Sequence, residues 1–379
     1  MRLGAGGRSG ACGPGGVMGL LAVAWLGWQA CARPPAAAPP APAQRLGALI
    51  EELSEPGGYF DTDNLVSNES AYLSVADQLD DAGSGGVYLG VGPDQNYSYL
   101  ARLRPRWAFI VDIRRQNMLQ HLLFNAFLEK AEDPRRYLCL LLARPCPEAA
   151  SDPWDLARGL VRLEGVRPSR EVFEANLSEA LAHVGERLGV SLTGADRAAI
   201  RGIYEGFFEG QLDLRFRSHG RPFRAHHPTY RSLLMARSPG GRGSFLASAD
   251  DYRFVRDLAR SGRLVPIVGD FAGPTALESV ARLVREKGES VRAFYVSNVE
   301  FYLIGSGRFD GYVRNVRGLP HDSRSLLIRA CFHYGAEHPA RVAGHRSTTV
   351  VQPMARFLSL YDAGDYSTYW DVCTRDYLR

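Results

Sequence analysis

The fold is decided by one stretch, Tyr88-Leu89-Gly90-Val91-Gly92-Pro93-Asp94-Gln95-Asn96. A short apolar run at residues 87–91 predicts a buried strand, and residues 95–103 after the glycines predict a helix. Strand, glycine turn and helix follow each other in the order that a nucleotide-binding loop requires. Glycine at both positions lets the backbone turn sharply and approach a ligand without a Cβ in the way. A simple tight turn is the alternative, so the flanking sequence has to decide.

The segments around this stretch alternate between strand-length apolar runs and amphipathic helical patterns. Further strands are predicted at residues 107–113, 264–268, 291–297, 326–332 and 348–352. Further helices are predicted at residues 116–128, 250–261 and 275–287. The alternation predicts an α/β fold in which a Rossmann-like parallel sheet has helices on both faces. Nearly continuous apolar strands agree with a sheet that is covered on both faces.

The chain of 379 residues divides into a leader, a linker and one interrupted domain. Residues 1–31 are similar to a bacterial lipoprotein signal, because an apolar run too short to span a bilayer leads to Cys31, which would carry the lipid. An ordinary signal peptide cut nearby and a misassigned start codon are the alternatives. Residues 32–44 form a Pro/Ala-rich linker. Residues 45–379 are predicted to form the α/β domain, with a mainly helical insertion at residues 130–247.

Composition limits the functions that this domain can have. The formal net charge is +4 and 45% of the residues are hydrophobic, which is typical of a folded domain and gives no concentrated basic face for nucleic acid. Neither the cysteines nor the histidines have the spacing of a zinc site, so no metal is expected. Cys139 and Cys146 can close a short loop if the protein is exported. Cys331 lies in an apolar run and is expected to be a small buried hydrophobic residue.

Asp112 ends the second predicted strand and gives the strongest support for a nucleotide site. Open α/β sheets bind ligands at the carboxyl ends of their strands, which is where the glycine turn also lies. An acidic side chain at this point can accept hydrogen bonds from both hydroxyls of a ribose. Its other interpretation is a cap for the helix that follows.

The residues after the glycines favour one nucleotide over another. Dinucleotide-binding loops usually have a third glycine where this chain has Gln95, and they place a pyrophosphate on the following helix. The carboxylate of Asp94 would repel that pyrophosphate. S-adenosylmethionine (SAM) has no phosphate, and its ammonium group suits a neighbouring carboxylate or amide. The loop therefore favours SAM, which leaves a nicotinamide-dependent oxidoreductase as the weakest hypothesis.

Together with this loop, two motifs at later strand ends resemble those of class I SAM-dependent methyltransferases. Gly269-Asp270-Phe271 follows the predicted strand at residues 264–268. The resemblance implies that Asp270 contacts the adenine amino group and that the ring of Phe271 stacks on the base. Asp270 as a helix cap is the alternative. Ser297-Asn298-Val299-Glu300 follows the next strand and resembles the Asn/Asp-Pro-Pro-Tyr motif of amino-group methyltransferases, without its prolines.

The resemblance assigns roles to the residues of these motifs. Asn298 would orient the methyl acceptor, Tyr302 would hold it, and Glu300 would act as a general base or pair with an arginine. Asp63 and Asn64, which precede the first strand, would belong to a lid over the cofactor. The residues expected to bind SAM are Gly90, Gly92, Asp94, Gln95, Asn96, Asp112, Arg114, Asp270 and Phe271.

The same motifs resemble a bacterial family without an assigned activity, which shares GVGPDQN, VDIRRQN, GDF and SNVE over residues 57–130 and 248–352. That family implies a methyltransferase-like fold. The sequence thus predicts a SAM-dependent methyltransferase that acts on a small molecule or an envelope component. SAM is made in the cytosol, so the alternative is a non-catalytic envelope lipoprotein that uses the fold as a binding module. Membrane association is expected only through a lipid on Cys31; without the leader the chain would be cytoplasmic.

Overall fold

The computed structural model describes residues 44–147, 153–222, 224–332 and 337–378. The predicted signal peptide, Cys31 and the linker through residue 43 lie outside these residues. The strands and helices of the described part share one large hydrophobic core. Every helix within these ranges is too short or too polar to cross a lipid bilayer.

A six-stranded mixed sheet organises the described residues. Its strands are β1 (Val87–Gly90), β2 (Trp107–Asp112), β3 (Leu264–Val268), β4 (Val291–Ser297), β5 (His321–Phe332) and β6 (Ser347–Pro353). They lie in the order β3-β2-β1-β4-β5-β6, and β6 alone runs antiparallel to its neighbour. The predicted α/β class is confirmed. The parallel pairing that the alternation predicts is found from β1 to β5, and β6 is antiparallel, since no crossover helix separates β5 from β6 in the described residues.

Helices precede the first strand, connect strands of the sheet and follow the last strand. They are α1 (Gln44–Leu53), α2 (Ala76–Asp81), α3 (Gln95–Leu103), α4 (Arg115–Lys130), α5 (Pro134–Leu141), α6 (Leu156–Glu164), α7 (Arg170–Ala182), α8 (Gly194–Gly210), α9 (Tyr230–Leu234), α10 (Ala249–Arg260), α11 (Ala276–Glu286), α12 (Val299–Gly305), α13 (Phe309–Gly318), α14 (Met354–Asp362) and α15 (Tyr369–Thr374). Every residue of β1 and β3 is buried. Because successive side chains of a strand point to opposite faces, the sheet is covered on both faces.

The predicted insertion at residues 130–247 is mainly helical and packs on α4. It contains α5 to α9. Arg115, at the start of α4, donates to both carboxylate oxygens of Asp196 on α8, at 2.7 and 2.9 Å. The rings of Phe173 and Tyr204 stack with their centroids 4.5 Å apart, within the same core as the sheet. The insertion therefore enlarges the core of the domain.

Two disulfides stabilise the described chain. Cys139 is bonded to Cys146, which closes the short loop after α5 that the spacing allows. Cys331 is buried, as predicted, but it is bonded to Cys373, a pairing that was not predicted. The two cysteines are 42 residues apart and meet because α15 packs against β5. Sequence spacing alone does not indicate such a distant pairing.

Candidate functional site

A cavity lies at the carboxyl ends of β1 to β4, where the order of the strands reverses. Ligands of open α/β sheets bind at such a switch point. The cavity encloses about 1030 Å³ measured out to its open mouth. Of the predicted site residues, those that line it are Asn64, Gly92, Gln95, Asp112, Arg114, Asp270, Phe271, Asn298 and Tyr302. Five predicted residues lie outside the lining, namely Asp63, Gly90, Asp94, Asn96 and Glu300.

Gly90 and Asn96 shape the glycine turn from behind the cavity lining. A Cβ on Gly90 would lie 2.0 Å from Oδ1 of Asn96, which leaves no space for a side chain. Asn96 accepts a hydrogen bond from the hydroxyl of Tyr88 at 2.7 Å and donates to the carbonyl oxygens of Val91 and Pro93. Its predicted role in cofactor binding is therefore corrected, because its amide is fully used in bracing the turn.

Gly92 needs its glycine for conformational reasons. Its φ of 80° lies in the left-handed region. Its carbonyl oxygen is 2.8 Å from Nε2 of the buried His121, and Nδ1 of that ring is 2.7 Å from the hydroxyl of Tyr97. Burial lowers the pKa of His121 to about 4, so the ring is neutral at neutral pH. A carbonyl only accepts, so the proton lies on Nε2, and the ring holds the turn in place.

Asp112 lines the same cavity as the glycine turn, and Arg114 is its partner. Arg114 donates to both carboxylate oxygens, from Nε at 3.0 Å and from Nη2 at 2.7 Å. Its Nη1 also donates to the backbone carbonyls of Thr62 and Asp63, which ties the segment before β1 to the end of β2. The backbone N–H of Arg114 also donates to Oδ1 of Asp112, at 2.9 Å. Since each carboxylate oxygen accepts about two hydrogen bonds, Oδ2 keeps one free acceptor position for a ligand beside this ion pair.

Asp94 and Gln95 are neighbours in sequence but have different surroundings. Asp94 is buried and accepts a hydrogen bond from the hydroxyl of Tyr230, in the insertion, at 2.7 Å. Burial raises the pKa of Asp94 to about 6. Its predicted contact with a cofactor is corrected, because its carboxylate lies in the core between α3 and α9. Gln95 lines the cavity, and its amide oxygen is buried without a hydrogen-bond partner within the described chain.

Glu69 is a buried acid of the cavity lining that no sequence pattern singles out. It is 2% exposed. Its carboxylate accepts hydrogen bonds from the hydroxyls of Tyr295, at 2.7 Å, and Ser297, and from the amide of Gln95 at 3.2 Å. Burial raises the pKa of Glu69. The polar stretch around it has no helical or strand periodicity, so only tertiary packing brings it to the end of β4.

The end of β3 contributes Asp270 and Phe271 to the lining. Asp270 accepts a hydrogen bond from Arg308 at 2.6 Å. Its interpretation as a helix cap is wrong, because the carboxylate of Glu55 instead accepts the N–H of Ala276 at the start of α11. The ring of Phe271 is buried and meets Phe294 edge-on with 4.7 Å between centroids. An aromatic face beside a paired acid thus borders this part of the cavity.

The end of β4 continues directly into α12, which separates the three predicted catalytic residues. Asn298 and Tyr302 line the cavity. Glu300 is fully buried and forms an ion pair with Arg329 at 2.5 Å, so of its two predicted roles the structure supports pairing with an arginine. Its role as a general base is corrected, since it lies outside the lining. Ser297, just before them, has a φ of 52°, in the left-handed region that few non-glycine residues adopt.

The predicted lid segment forms one wall of the cavity. Nδ2 of Asn64 is 3.3 Å from the position that a Cβ would take on Gly92. The ring of Phe60 meets that of Tyr302 edge-on at 4.8 Å, and both residues line the cavity. The carboxylate of Asp63 accepts the backbone N–H of Arg217 at 3.1 Å and does not line it. Asp63 therefore fixes the predicted lid segment to the insertion from outside the cavity lining.

Comparison with known proteins gives a family without an activity. A family model described as a domain of unknown function (DUF7790) matches residues 64–148 and 199–372, which is more than half of the chain. The matched ranges include Glu69, the glycine turn and the ends of β2, β3 and β4, whereas the gap between them falls inside the helical insertion. No curated protein matches the sequence. Among the described residues, no group of three or more His, Cys, Asp or Glu side chains could hold a metal ion.

Proposed function

The chain belongs to the DUF7790 family, whose description assigns no activity, and we propose from the cavity itself that it is a SAM-dependent methyltransferase with a Rossmann-like class I fold. The order of the sheet supports this fold, since its first strand is central and the chain progresses outward on both sides of it. The antiparallel β6 extends the sheet beyond the cavity-forming strands.

One observation carries the proposal. The turn at Gly92 and the carboxylate of Asp112 line one cavity at the switch point of the sheet. In this arrangement Asp112, oriented by Arg114, accepts a hydroxyl of a ribose, and the small turn allows the ligand to approach the backbone. Phe271 offers a ring against which an adenine can pack.

The residues of the cavity fit SAM better than a dinucleotide. Glu69 and the unpartnered amide oxygen of Gln95 are hydrogen-bond acceptors close to the turn. Acceptors suit a positively charged group, which SAM has, and repel the phosphate oxygens of a pyrophosphate. SAM supplies an activated methyl group, so the chain mainly has to position the acceptor. Asn298 and Tyr302 are the lining residues that we assign to that task.

Isothermal titration calorimetry with SAM and S-adenosylhomocysteine tests the proposal. We expect saturable binding to the wild-type chain and a loss of at least tenfold in affinity in Asp112→Asn, because the variant keeps the size of the side chain but replaces the charged acceptor of a ribose hydroxyl by a neutral amide and weakens the pair with Arg114. Asp81→Asn, on the exposed end of α2, is the matched control and should bind like the wild type. Absence of saturable binding to either compound would refute the proposed function.

The two disulfides favour a second candidate function. Disulfides persist in oxidising compartments and are rare in the cytosol, where SAM is made. An exported chain would use the cavity to bind another small molecule as an envelope lipoprotein without catalysis. Mass spectrometry of the mature N-terminus separates the two candidates. Lipid on Cys31 together with no affinity for SAM supports the binding module, whereas an unprocessed N-terminus removes it.

A further inference from the structure

The negatively charged side chains that line the cavity outnumber the positively charged ones. Five charged residues line it, namely Glu69, Asp112, Arg114, Asp270 and Arg308. Asp112 is paired with Arg114 and Asp270 is paired with Arg308. Glu69 has no basic partner among the residues that the structure describes. The lining therefore has one negative charge without a counter-charge whenever Glu69 is ionised.

Neutral donors hold Glu69 in place. The hydroxyls of Tyr295 and Ser297 and the amide of Gln95 point at its two oxygens, and its backbone N–H donates to Ser67 at 3.0 Å. Of the three side-chain bonds, two end on one carboxylate oxygen, Oε2, and the other ends on Oε1. Since each oxygen can accept two bonds, Oε1 keeps one free acceptor position.

A second acceptor beside Glu69 is also unused. The amide oxygen of Gln95 has no hydrogen-bond partner within the described residues, and the side chain of Gln95 is 5% exposed. A buried polar atom of this kind costs free energy unless a ligand or water satisfies it. The free acceptors of Glu69 and Gln95 belong to side chains that hydrogen-bond each other and line one cavity. They require a partner that is positively charged or donates hydrogen bonds.

We propose that Glu69 and Gln95 form a subsite for the positively charged centre of a bound ligand. The ring of Tyr295 borders the same place, and an aromatic ring adds attraction for a cation. The partners of Glu69 come both from the helix after the glycine turn and from the end of β4, so the subsite lies between the two regions assigned to cofactor and acceptor. The inference rests in part on the proposed function, because two sources of the cation fit this place. They are the sulfonium of SAM and the ammonium group of an amine.

Two matched ligand pairs distinguish these sources. SAM and S-adenosylhomocysteine share an ammonium and a carboxylate and differ by the sulfonium methyl, so calorimetry on this pair isolates the sulfonium. n-Butylammonium and n-butanol have similar size, so ligand-observed NMR titration of this pair isolates an ammonium. Both pairs are measured on the wild-type full chain and on Glu69→Gln. The control is Glu51→Gln, which removes the same charge from the exposed face of α1.

The expected result is a preference of at least tenfold for the charged member of one pair, because a hydrogen-bonded buried charge pair is worth about that much. Glu69→Gln should reduce this preference to less than about threefold, and Glu51→Gln should keep it. Preference in the first pair identifies the sulfonium, and preference in the second identifies an amine. The wild-type ratios need no variant, so a folding defect in Glu69→Gln does not obscure the result.

The remaining outcomes are equally decisive. Equal binding within both pairs by the wild-type chain overturns the inference, as does a preference that persists in Glu69→Gln. If neither adenosyl compound binds while n-butylammonium binds through Glu69, the proposed methyltransferase function fails and the cation subsite stands. If both adenosyl compounds bind equally and n-butylammonium does not bind, the cofactor proposal survives and the cation subsite fails.

Discussion

Asp94 is a carboxylate in the core, and among the described residues its one side-chain donor is the hydroxyl of Tyr230. Asp112 and Glu300, two other buried acids, each have an arginine partner. A neutral hydroxyl stabilises a carboxylate less than a guanidinium does, so desolvation dominates at Asp94 and raises its pKa from 3.8 to about 6. The folded chain therefore holds this proton more tightly than the unfolded chain does.

Asp94→Asn should remove a pH-dependent loss of stability. Because the folded pKa is the higher one, Asp94 favours folding most below about pH 4, and this contribution is lost as the pH rises through about 6. At pH 8 the variant should be more stable than the wild type by up to about 3 kcal/mol, and the difference should shrink toward pH 4. Urea unfolding at both pH values measures it, with Asp81→Asn as the exposed control. A variant less stable than wild type at pH 8 contradicts the prediction.

For individual residues, the sequence predicted the position of the polar cluster better than it predicted the partner and role of each member. Asp112, Gln95, Asp270 and Asn298 were placed correctly at strand ends, because the carboxyl ends of parallel strands meet at one edge. The partner of each acid was beyond prediction, since it depends on which arginine or hydroxyl the tertiary structure brings near. Glu69 was missed for the same reason.

The glycine turn between β1 and α3 depends on the absence of two side chains, for different reasons. At Gly92 the backbone conformation excludes a Cβ, whereas at Gly90 a neighbouring side chain does. The side chain of Asn96 cannot move away from Gly90 without losing its own hydrogen bonds to the turn. The strand, the turn and the helix are thus locked together by one amide.

Gly90→Ala should destabilise the chain by about 3 kcal/mol and weaken ligand binding in the cavity. The new Cβ would lie 2.0 Å from Oδ1 of Asn96, which forces the bracing amide out of place. Gly202→Ala is the matched control, because Gly202 lies inside α8 with nothing within 4 Å of the added Cβ. That control should be more stable than wild type by about 0.5–1 kcal/mol. Thermal unfolding compares the two, and equal effects would contradict the account of Gly90.

Element boundaries followed from the sequence wherever the hydrophobic pattern was regular. The predictions for residues 95–103, 264–268 and 291–297 coincide with α3, β3 and β4. Helices α12 and α13 were not predicted, because α12 is short and follows a strand without a break, and α13 has glycines near both ends. Helix α12, which begins directly after β4, places Glu300 outside the cavity lining.

The two disulfides act on the molecule at different ranges. Cys139–Cys146 closes a loop of 7 residues within the insertion. Cys331–Cys373 spans 42 residues and joins β5 to α15, the last helix of the described residues. A cross-link limits the unfolded chain more when the loop that it closes is longer.

Removing the long-range disulfide should therefore cost more stability than removing the short one. Loop entropy predicts a loss of about 4 kcal/mol for Cys331→Ala with Cys373→Ala, against about 2 kcal/mol for Cys139→Ala with Cys146→Ala. Urea unfolding of the two double variants under non-reducing conditions gives the comparison. A larger loss in the Cys139/Cys146 variant would show that local packing, not loop closure, governs these bonds.

The separation of β2 from β3 along the chain has a consequence during synthesis. β2 ends at Asp112, while its partner begins at Leu264, after all the helices of the insertion. Until translation has passed that point, both outer edges of the β1–β2 pair are unpaired, because β4, the other partner of β1, follows still later in the chain. Such edges recruit other nascent chains, and joining distant strands is slow. The emerging polypeptide therefore has a long vulnerable interval, during which chaperones that shield open edges would determine how much of it reaches the native state.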